Sequence, residues 1–334
     1  MAETAALHHA DRVLAVLRES DASAGPAATS EIAASWRRCL LNYHLDPERM
    51  DQPARLSGRE LRHAREYAGR LLRAADPELE RLLAVVDGLG YAVLLADPSG
   101  VIVGRRVRVG DEDGYRKWRL WTGALWSEDI EGTNGVGTCL AEQRPVTIHR
   151  DQHFRRRHTQ LSCTVAPVFN AMGQVAGALD VSSFRADPTG RGLPLVMAAV
   201  RETARRIEKA SFHAFFASHL ILAFPEDPEV HSVPLLALDS DRRIVGATHA
   251  ARVALRLDET ILGGSIALGD LLGSPPPSEP GSFAEAERAV VMAALSQAQG
   301  NVKVAASSLG ISRATLHRKI RSLQLERHHR ARRS

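Results

Sequence analysis

Apolar positions in the first part of the chain recur every three or four residues, the spacing that places them on one face of an α-helix. Such stripes cover residues 8–19, 30–41 and 57–75, and the second starts at Ser30, a residue type suited to a helix N-cap. The pattern therefore predicts an N-terminal helical region over residues 1–80.

From residue 89 onward, the apolar residues form short runs typical of strands. Two runs flank the turn Pro98-Ser99-Gly100, which predicts a β-hairpin. Three further strands and two helices are predicted, the strands at 146–148, 161–169 and 175–181 and the helices at 132–143 and 193–216. Antiparallel strands flanked by helices predict an α+β domain over residues 81–190. A connecting helix over residues 191–220 follows, which we expect at or near a dimer interface.

The second half of the chain divides into smaller parts. A second hairpin pattern lies in residues 235–247, within a small segment over 221–274. A proline-rich stretch at residues 275–281 is stiff and extended, and therefore predicts a linker. Beyond it we expect an all-α module over residues 282–325 and a basic tail over 326–334.

The terminal module has the pattern of a helix-turn-helix. Ser282 and Glu285 form a capping box for a first helix, and Asn301 and Ser312 are suited to cap the second and third helices. Gly310 suits the left-handed conformation with which many helices end. The third helix carries an apolar stripe that we expect to pack inward, formed by Leu316, Ile320 and Leu323.

The third helix presents cations on the face opposite that stripe. Arg313 lies in the first turn, where recognition helices reach base edges, and an arginine there can pair with guanine. The small Ala314 would allow close approach to DNA, and Lys319 and Arg321 lie where phosphates would run. We assign nine residues to the DNA-binding surface: Asn301, Ser312, Arg313, Ala314, Thr315, His317, Arg318, Lys319 and Arg321. The alternative is an ordinary amphipathic helix pair with a solvated basic face.

Composition supports this division of the chain. Residues 283–334 carry ten Lys and Arg against three Glu, although the net charge of the whole chain is only +4. A basic end on a mildly acidic body predicts that only this end contacts polyanions. The sequence has neither a membrane span nor a secretory pattern, and Cys39, Cys139 and Cys163 are too few and too widely spaced for a disulfide framework. We therefore expect a cytoplasmic protein with reduced thiols.

Two resemblances cover most of the chain. The terminal module resembles the Fis-type helix-turn-helix at Asn301, Ala305-Ala306, Leu309-Gly310-Ile311, Arg313, Thr315-Leu316 and Arg318-Lys319-Ile320. Residues 89–184 resemble the GAF domain of acetoin-catabolism regulators at Gly132-Thr133-Asn134-Gly135-Val136-Gly137-Thr138, Arg144-Pro145-Val146-Thr147, His153, His158, Leu161-Ser162-Cys163, Ala166-Pro167-Val168-Phe169 and Gly177-Ala178-Leu179-Asp180-Val181-Ser182. The segment Ser35-Trp36-Arg37-Arg38-Cys39 also resembles the start of that family, and residues 233–273 resemble a shortened PAS-type segment.

These resemblances imply a function. The Fis-type module implies a homodimer that binds a two-fold-related site in double-stranded DNA, in the bacterial nucleoid. The GAF domain implies a small-molecule pocket between its sheet and the covering helices and loops. Family members often carry a central ATPase, but the sequence contains no G-x-x-x-x-G-K-[ST] loop. We therefore expect neither a cofactor nor remodelling of sigma-54 polymerase by ATP hydrolysis.

The candidate effector site comprises seven residues: Trp118, Trp121, Trp126, Asn134, Thr138, Cys163 and Val165. The tryptophans fit either a pocket wall or the core, and Asn134 and Thr138 fit either a ligand anchor or helix capping. The histidines near Cys163 have irregular spacing, so structural roles are favoured and no metal site is predicted.

The sequence thus predicts a ligand-responsive transcriptional regulator. Its expected partners are double-stranded DNA, a small organic effector and a second copy of the chain, with RNA polymerase as a further candidate and no membrane. The alternative is a non-sensing architectural or co-regulatory DNA-binding protein whose GAF fold serves dimerisation. No nucleophile–base pair with convincing context occurs, so an enzyme is not predicted.

Overall fold

The computed structural model describes residues 2–18, 31–51, 53–185, 190–224, 233–257 and 301–323, together with residues 268, 287, 290–292, 294, 295 and 298. The chain divides into two compact units, Met1–Ala267 and Leu268–Ser334, each with its own hydrophobic core. No helix among the described residues is long and apolar enough to cross a membrane.

A five-stranded antiparallel sheet forms the centre of the first unit. Its strands are β1 (Ala92–Ala96), β2 (Ile102–Arg106), β3 (Val146–His149), β4 (Ser162–Phe169) and β5 (Val175–Ser183), in the order β2-β1-β5-β4-β3. Both β4 and β5 are almost wholly buried, because helices or loops cover each face of the sheet. Alternate side chains of one strand therefore enter two separate cores.

Helices on both faces complete this domain. On one face, α4 (Gly69–Val86) and α8 (Leu193–Phe215) pack against apolar side chains that include Val93, Leu95 and Val181. The other face is covered by α5 (Glu112–Lys117), α6 (Glu128–Glu131), α7 (Gly135–Glu142) and the tryptophan-rich loop between the first two. The expected α+β class is confirmed.

The N-terminal helices are α1 (Ala2–Arg18), α2 (Glu31–Leu41) and α3 (Gly58–Tyr67). The single helix predicted over residues 57–75 is wrong, because the chain breaks at Ala68, whose ψ of 4° is not helical, and α4 then continues to Val86. The expected domain boundary at residue 80 falls inside α4. Leu79 and Leu82 on either side of it are buried in the same core, so α4 packs as part of the sheet domain.

A small second sheet follows α8 in the first unit. It comprises β6 (Leu220–Ala223), β7 (Leu235–Leu238) and β8 (Ile244–Ala247) in sequential antiparallel order, with α9 (His249–Leu255) after it. The hairpin predicted over residues 235–247 is confirmed. The ring of His249 stacks on Phe169 of β4 at a centroid distance of 4.1 Å, so this segment rests against the large domain.

The second unit contains α10 (Val302–Ser308) and α11 (Arg313–Ser322). A small core lies between them and the helical residues that precede them. Its buried members are Val291 and Ala294 before α10, Ala305 and Ala306 on α10, and Leu316 on α11. The predicted capping box at Ser282 and Glu285, the linker and the basic tail lie outside the described residues, as does the side chain of Arg321.

Candidate functional sites

The start of α7 is fixed by its own sequence. The Asn134 side-chain oxygen accepts a hydrogen bond from the Gly137 N–H at 2.9 Å, and its amide donates to the Gly132 carbonyl at 2.8 Å. Asn134 therefore caps the helix. The glycine that follows allows close approach to the sheet, since a Cβ built on Gly135 would lie 2.5 Å from the Cβ of Cys163.

A buried carboxylate, Glu128, connects the N-terminal helix α2 to α7. It accepts hydrogen bonds from the hydroxyls of Ser35 and Thr138 and from the Arg38 guanidinium, at 2.6 Å from Nε. Arg38 also pairs with Glu142 at 2.9 Å. Because the Glu128 side chain is only 2% exposed, these hydrogen bonds stabilise its charge in place of water. Glu128, on α6, thus links α2 to α7.

A second buried carboxylate, Asp180, lies in the middle of β5 on the face covered by α7. It accepts hydrogen bonds from the Ser182 hydroxyl at 2.8 and 2.7 Å. In the part of the chain that the structure describes, no cationic side chain lies within salt-bridge distance of it. Burial consequently raises the pKa of Asp180 to about 7. Sequence reasoning assigned it no role, although a carboxylate inside an apolar strand is itself a signal.

Cys163 and Val165 lie on β4 beside this carboxylate. Val165 is directly opposite Asp180 in the strand register, and Cys163 is opposite Ser182. The Cys163 thiol lies 3.5 Å from Nε2 of His153. Burial raises the pKa of Cys163 and lowers that of His153 to about 4, so both are neutral near pH 7. The buried side chains around the Asp180 carboxyl are therefore uncharged.

Trp126 borders the same region. Its indole N–H donates to the Arg119 carbonyl at 3.0 Å, and its ring lies 4.8 Å from the ring of His158. Burial lowers the pKa of His158 well below its usual value. Among the described residues, no group of three or more His, Cys, Asp or Glu side chains is arranged to hold a metal ion.

The other two tryptophans of the predicted wall have different neighbours. Trp121 lies under two guanidinium groups, with the Cζ atoms of Arg105 and Arg116 at 3.7 and 4.2 Å from its ring centroid. Trp118 stacks on Phe184 at 6.5 Å. All three tryptophans contact one apolar cluster.

In the second unit, the turn between α10 and α11 is closed by backbone hydrogen bonds. Gly310 adopts a positive φ of 63°, and the Ile311 N–H donates to the Ala306 carbonyl at 3.0 Å. The Asn301 side chain caps α10, and the Ser312 hydroxyl accepts from the Thr315 N–H at 3.1 Å, which caps α11. These bonds fix where α11 begins.

The outer face of α11 is polar and solvated. Arg313, Ala314, His317 and Arg318 are exposed, whereas Leu316 is fully buried. Thr315 is half-buried, and Lys319 forms an ion pair with Glu287 of the preceding helical segment. The helix is therefore amphipathic, with its apolar side packed in the small core and its cations facing solvent.

Two segments of the chain match known protein-family models. Residues 70–210 match the model described as GAF domain, and residues 282–323 match the model described as Bacterial regulatory protein, Fis family. The chain thus carries a GAF domain and a Fis-type helix-turn-helix. The resemblance stated from the sequence is thus confirmed.

Curated relatives of this GAF-domain protein are regulators. The acetoin catabolism regulatory protein of Cupriavidus necator is 38% identical over 237 residues, which are 70% of this chain and 35% of that protein. The acetoin dehydrogenase operon transcriptional activator AcoR of Bacillus subtilis is 28% identical over 67% of this chain and 36% of that protein. The chain therefore spans about a third of the length of these relatives. The matches support a transcriptional regulator with a sensory domain.

A solved structure, the E. coli DhaR(N)–DhaL complex, is similar with a TM-score of 0.48 and 19% identity, over 72% of this chain and 80% of that one.

Within the GAF domain, the predicted effector residues fall into three places. Cys163, Val165 and Trp126 lie between the sheet and its α7 side, near Asp180. Asn134 and Thr138 hold the α7 region together through hydrogen bonds within the protein. The remaining two lie further along the same apolar core, Trp118 at the C-terminal end of α5 and Trp121 in the loop that follows it.

Proposed function

We propose that this protein is a homodimeric, ligand-responsive transcriptional regulator that works without ATP hydrolysis. The GAF domain senses a small organic effector, and the Fis-family module reads a two-fold-related operator in double-stranded DNA. RNA polymerase is a candidate partner at the promoter. The observation that supports this best is one chain with a GAF fold and an exposed basic helix in a helix-turn-helix.

The DNA-reading role of α11 rests on its two faces. Leu316 anchors the helix in the core, and Arg313 in the first turn is solvated and available to base edges. One bidentate arginine–guanine contact contributes about 1–3 kcal/mol of discrimination between bases. Arg318, one turn further along the exposed face, and His317 beside it extend the same surface. Lys319 would reach phosphate only by leaving Glu287.

The effector site that we propose lies between α7 and the sheet, around Asp180, and it opens when α7 moves away from the sheet, because Gly135 packs directly against Cys163 and Val165. Its carboxyl accepts hydrogen bonds from a hydroxyl in the folded protein, and Cys163 and Val165 supply uncharged neighbours. The relative from Cupriavidus necator is named for acetoin catabolism. A small hydroxyketone or diol has the hydroxyl and the short apolar part that such a surface accommodates, and we extend that chemical class to this chain.

We expect that the protein does not remodel RNA polymerase by ATP hydrolysis. The sequence between the two family matches contains no phosphate-binding G-x-x-x-x-G-K-[ST] loop. The purified chain should show no ATP turnover above background, with or without DNA. DNA-stimulated turnover would contradict this part of the proposal.

Operator binding tests the central claim. Arg313→Ala should remove sequence-selective binding in a mobility-shift titration while leaving the circular dichroism spectrum unchanged. Lys303→Ala, an exposed cation on α10, is the matched control and should keep selectivity. If Arg313→Ala binds its native operator with unchanged selectivity and salt dependence, α11 is not the recognition helix.

The alternative, a non-sensing architectural or co-regulatory DNA-binding protein whose GAF fold serves dimerisation, is favoured by one observation. The side chains of Asn134 and Thr138 form hydrogen bonds within the domain, so their polar groups are already satisfied. Thermal-shift screening against acetoin-like ketones, diols, alcohols and aromatic compounds separates the two proposals. Stabilisation by a hydroxylated compound supports sensing, and no stabilisation by any compound supports the alternative.

A further inference from the structure

A cavity of about 370 Å³ lies beside β2, away from the proposed effector site. Helices α3 and α4 form one side of it, and β2 and the segment after it form the other. Its lining includes three arginines (Arg65, Arg105 and Arg106) and two carboxylates (Asp76 and Glu112). The volume is within the range of small-molecule sites.

The cations of this cavity are incompletely neutralised. Arg106 is bound by Asp76 and Glu80. Neither Arg65 nor Arg105 has a carboxylate within salt-bridge distance among the residues that the structure describes. Glu80 binds Arg106 and Arg116 pairs with Glu112, so the lining and its immediate partners together comprise four cations and three carboxylates. The excess of one positive charge favours a monoanion over a polyanion.

The Arg105 guanidinium is held in one orientation. It donates from one terminal nitrogen to the Thr122 hydroxyl at 2.6 Å, and it stacks on the Trp121 ring at 3.7 Å. Burial, followed by the positive charges of Arg116 and Arg65, lowers its pKa despite the opposing effect of Glu112. An incoming anion would relieve that repulsion, and the fixed planar fork would bind a carboxylate with little loss of side-chain entropy.

The inner wall of the cavity is apolar. Leu79 and Val103 are almost fully buried, and Leu72 lies beside them. Leu72 packs closely over Gly104, because a Cβ at this position would lie 3.2 Å from Cδ2 of Leu72. A ligand that fills this cavity thus meets charge on one side and hydrocarbon on the other.

We propose that this cavity is a second ligand site and that it binds a small monocarboxylate with a short apolar group. The carboxylate pairs with Arg105, assisted by Arg65, and the apolar group packs against Leu72, which is partly exposed. The site is distinct from the region around Asp180, because Leu72, Leu79 and Val103 belong to the core on the opposite face of the sheet.

Direct binding to the full chain tests the proposal without reference to DNA. Isothermal titration with isovalerate and benzoate should show binding, and their neutral amides, isovaleramide and benzamide, should bind at least about tenfold more weakly, since hydrogen bonds to charged groups are the stronger ones. Inorganic phosphate should also bind more weakly than either acid, because it has no apolar group for the inner wall. Equal binding of the amides or of phosphate, or no binding of either acid, would overturn the assignment.

Variants locate the site. Arg105→Gln should weaken benzoate binding by at least about tenfold. Arg65→Gln changes an exposed residue, so it should fold normally and still weaken binding several-fold. Arg62→Gln, an exposed arginine of α3 that does not line this cavity, is the matched control and should bind like the unmodified chain. Benzoate binding that Arg65→Gln leaves unchanged would place the ligand elsewhere.

Discussion

The carboxyl of Asp180 should make the GAF domain less stable as pH rises, and Asp180→Asn should remove that effect. Asn has nearly the same shape, and the Ser182 hydroxyl that donates to Asp180 can donate to the amide oxygen instead. The substitution therefore removes a titration while leaving the packing of β5 against α7 in place.

The magnitude follows from the shift in pKa. Burial raises the pKa of Asp180 from 3.8 to about 7. Between these values the folded state keeps a proton that the unfolded chain releases, so stability falls as pH rises and the full loss is reached above about pH 7. The loss caused by this one group is about 1.7 kcal/mol at pH 5 and about 4 kcal/mol at pH 8. The stability advantage of Asp180→Asn should therefore widen by about 2.5 kcal/mol between these two pH values.

Urea unfolding of both proteins at several pH values, followed by circular dichroism, measures this difference. Taking the difference between the proteins cancels the titration of other groups. Asp241→Asn, in the exposed turn between β7 and β8, is the control and should show no widening because its side chain is already solvated. A constant difference between Asp180→Asn and the unmodified chain across the range would refute the reasoning, since Asp180 would then be ionised or solvated in the folded state.

Two further changes test packing in the same domain. Glu128→Ala should lower the free energy of unfolding by about 3 kcal/mol, because the buried hydroxyls of Ser35 and Thr138 lose their acceptor and Arg38 keeps only Glu142. Urea unfolding measures this, and Glu202→Ala, in an exposed pair, should change stability by under about 0.5 kcal/mol. Gly135→Ala should cost about 1–3 kcal/mol, because the added methyl group overlaps β4. Gly88→Ala, with open space around it, should be neutral in a thermal melt, and equal melting temperatures for the two glycine variants would contradict the close approach of α7.

Most of the secondary structure could be predicted from the spacing of apolar residues. The long helix predicted over residues 193–216 is α8, and the hairpin around Pro98 is β1–β2. Both patterns are local, because each element has one consistent apolar period. The break at Ala68 was missed, since the apolar stripe continues past it and the one local signal is Gly69, a single glycine of the kind that helices tolerate. Only the packing of α4 against the sheet decides where the second helix starts.

The sequence predicted the candidate DNA-binding site in more detail than the candidate effector site. In the helix-turn-helix, the roles of Asn301, Gly310 and Leu316 follow from local geometry. In the GAF domain, residue type alone suggested that neighbouring tryptophans share a wall. The structure places all three against one apolar cluster, and it also brings Arg105, on β2, onto the Trp121 ring. A pairing across that many residues leaves no local pattern.

The network around Glu128 bears on how this sensor could be excised from the chain. The family match begins at residue 70, yet Ser35 and Arg38 on α2 solvate the Glu128 carboxylate. A fragment trimmed to the matched segment would leave this charge without Ser35 and Arg38 as donors and would expose Phe154, which packs against Trp36. The smallest autonomous sensor therefore starts before residue 31, and its N-terminal extension is an integral part of the domain.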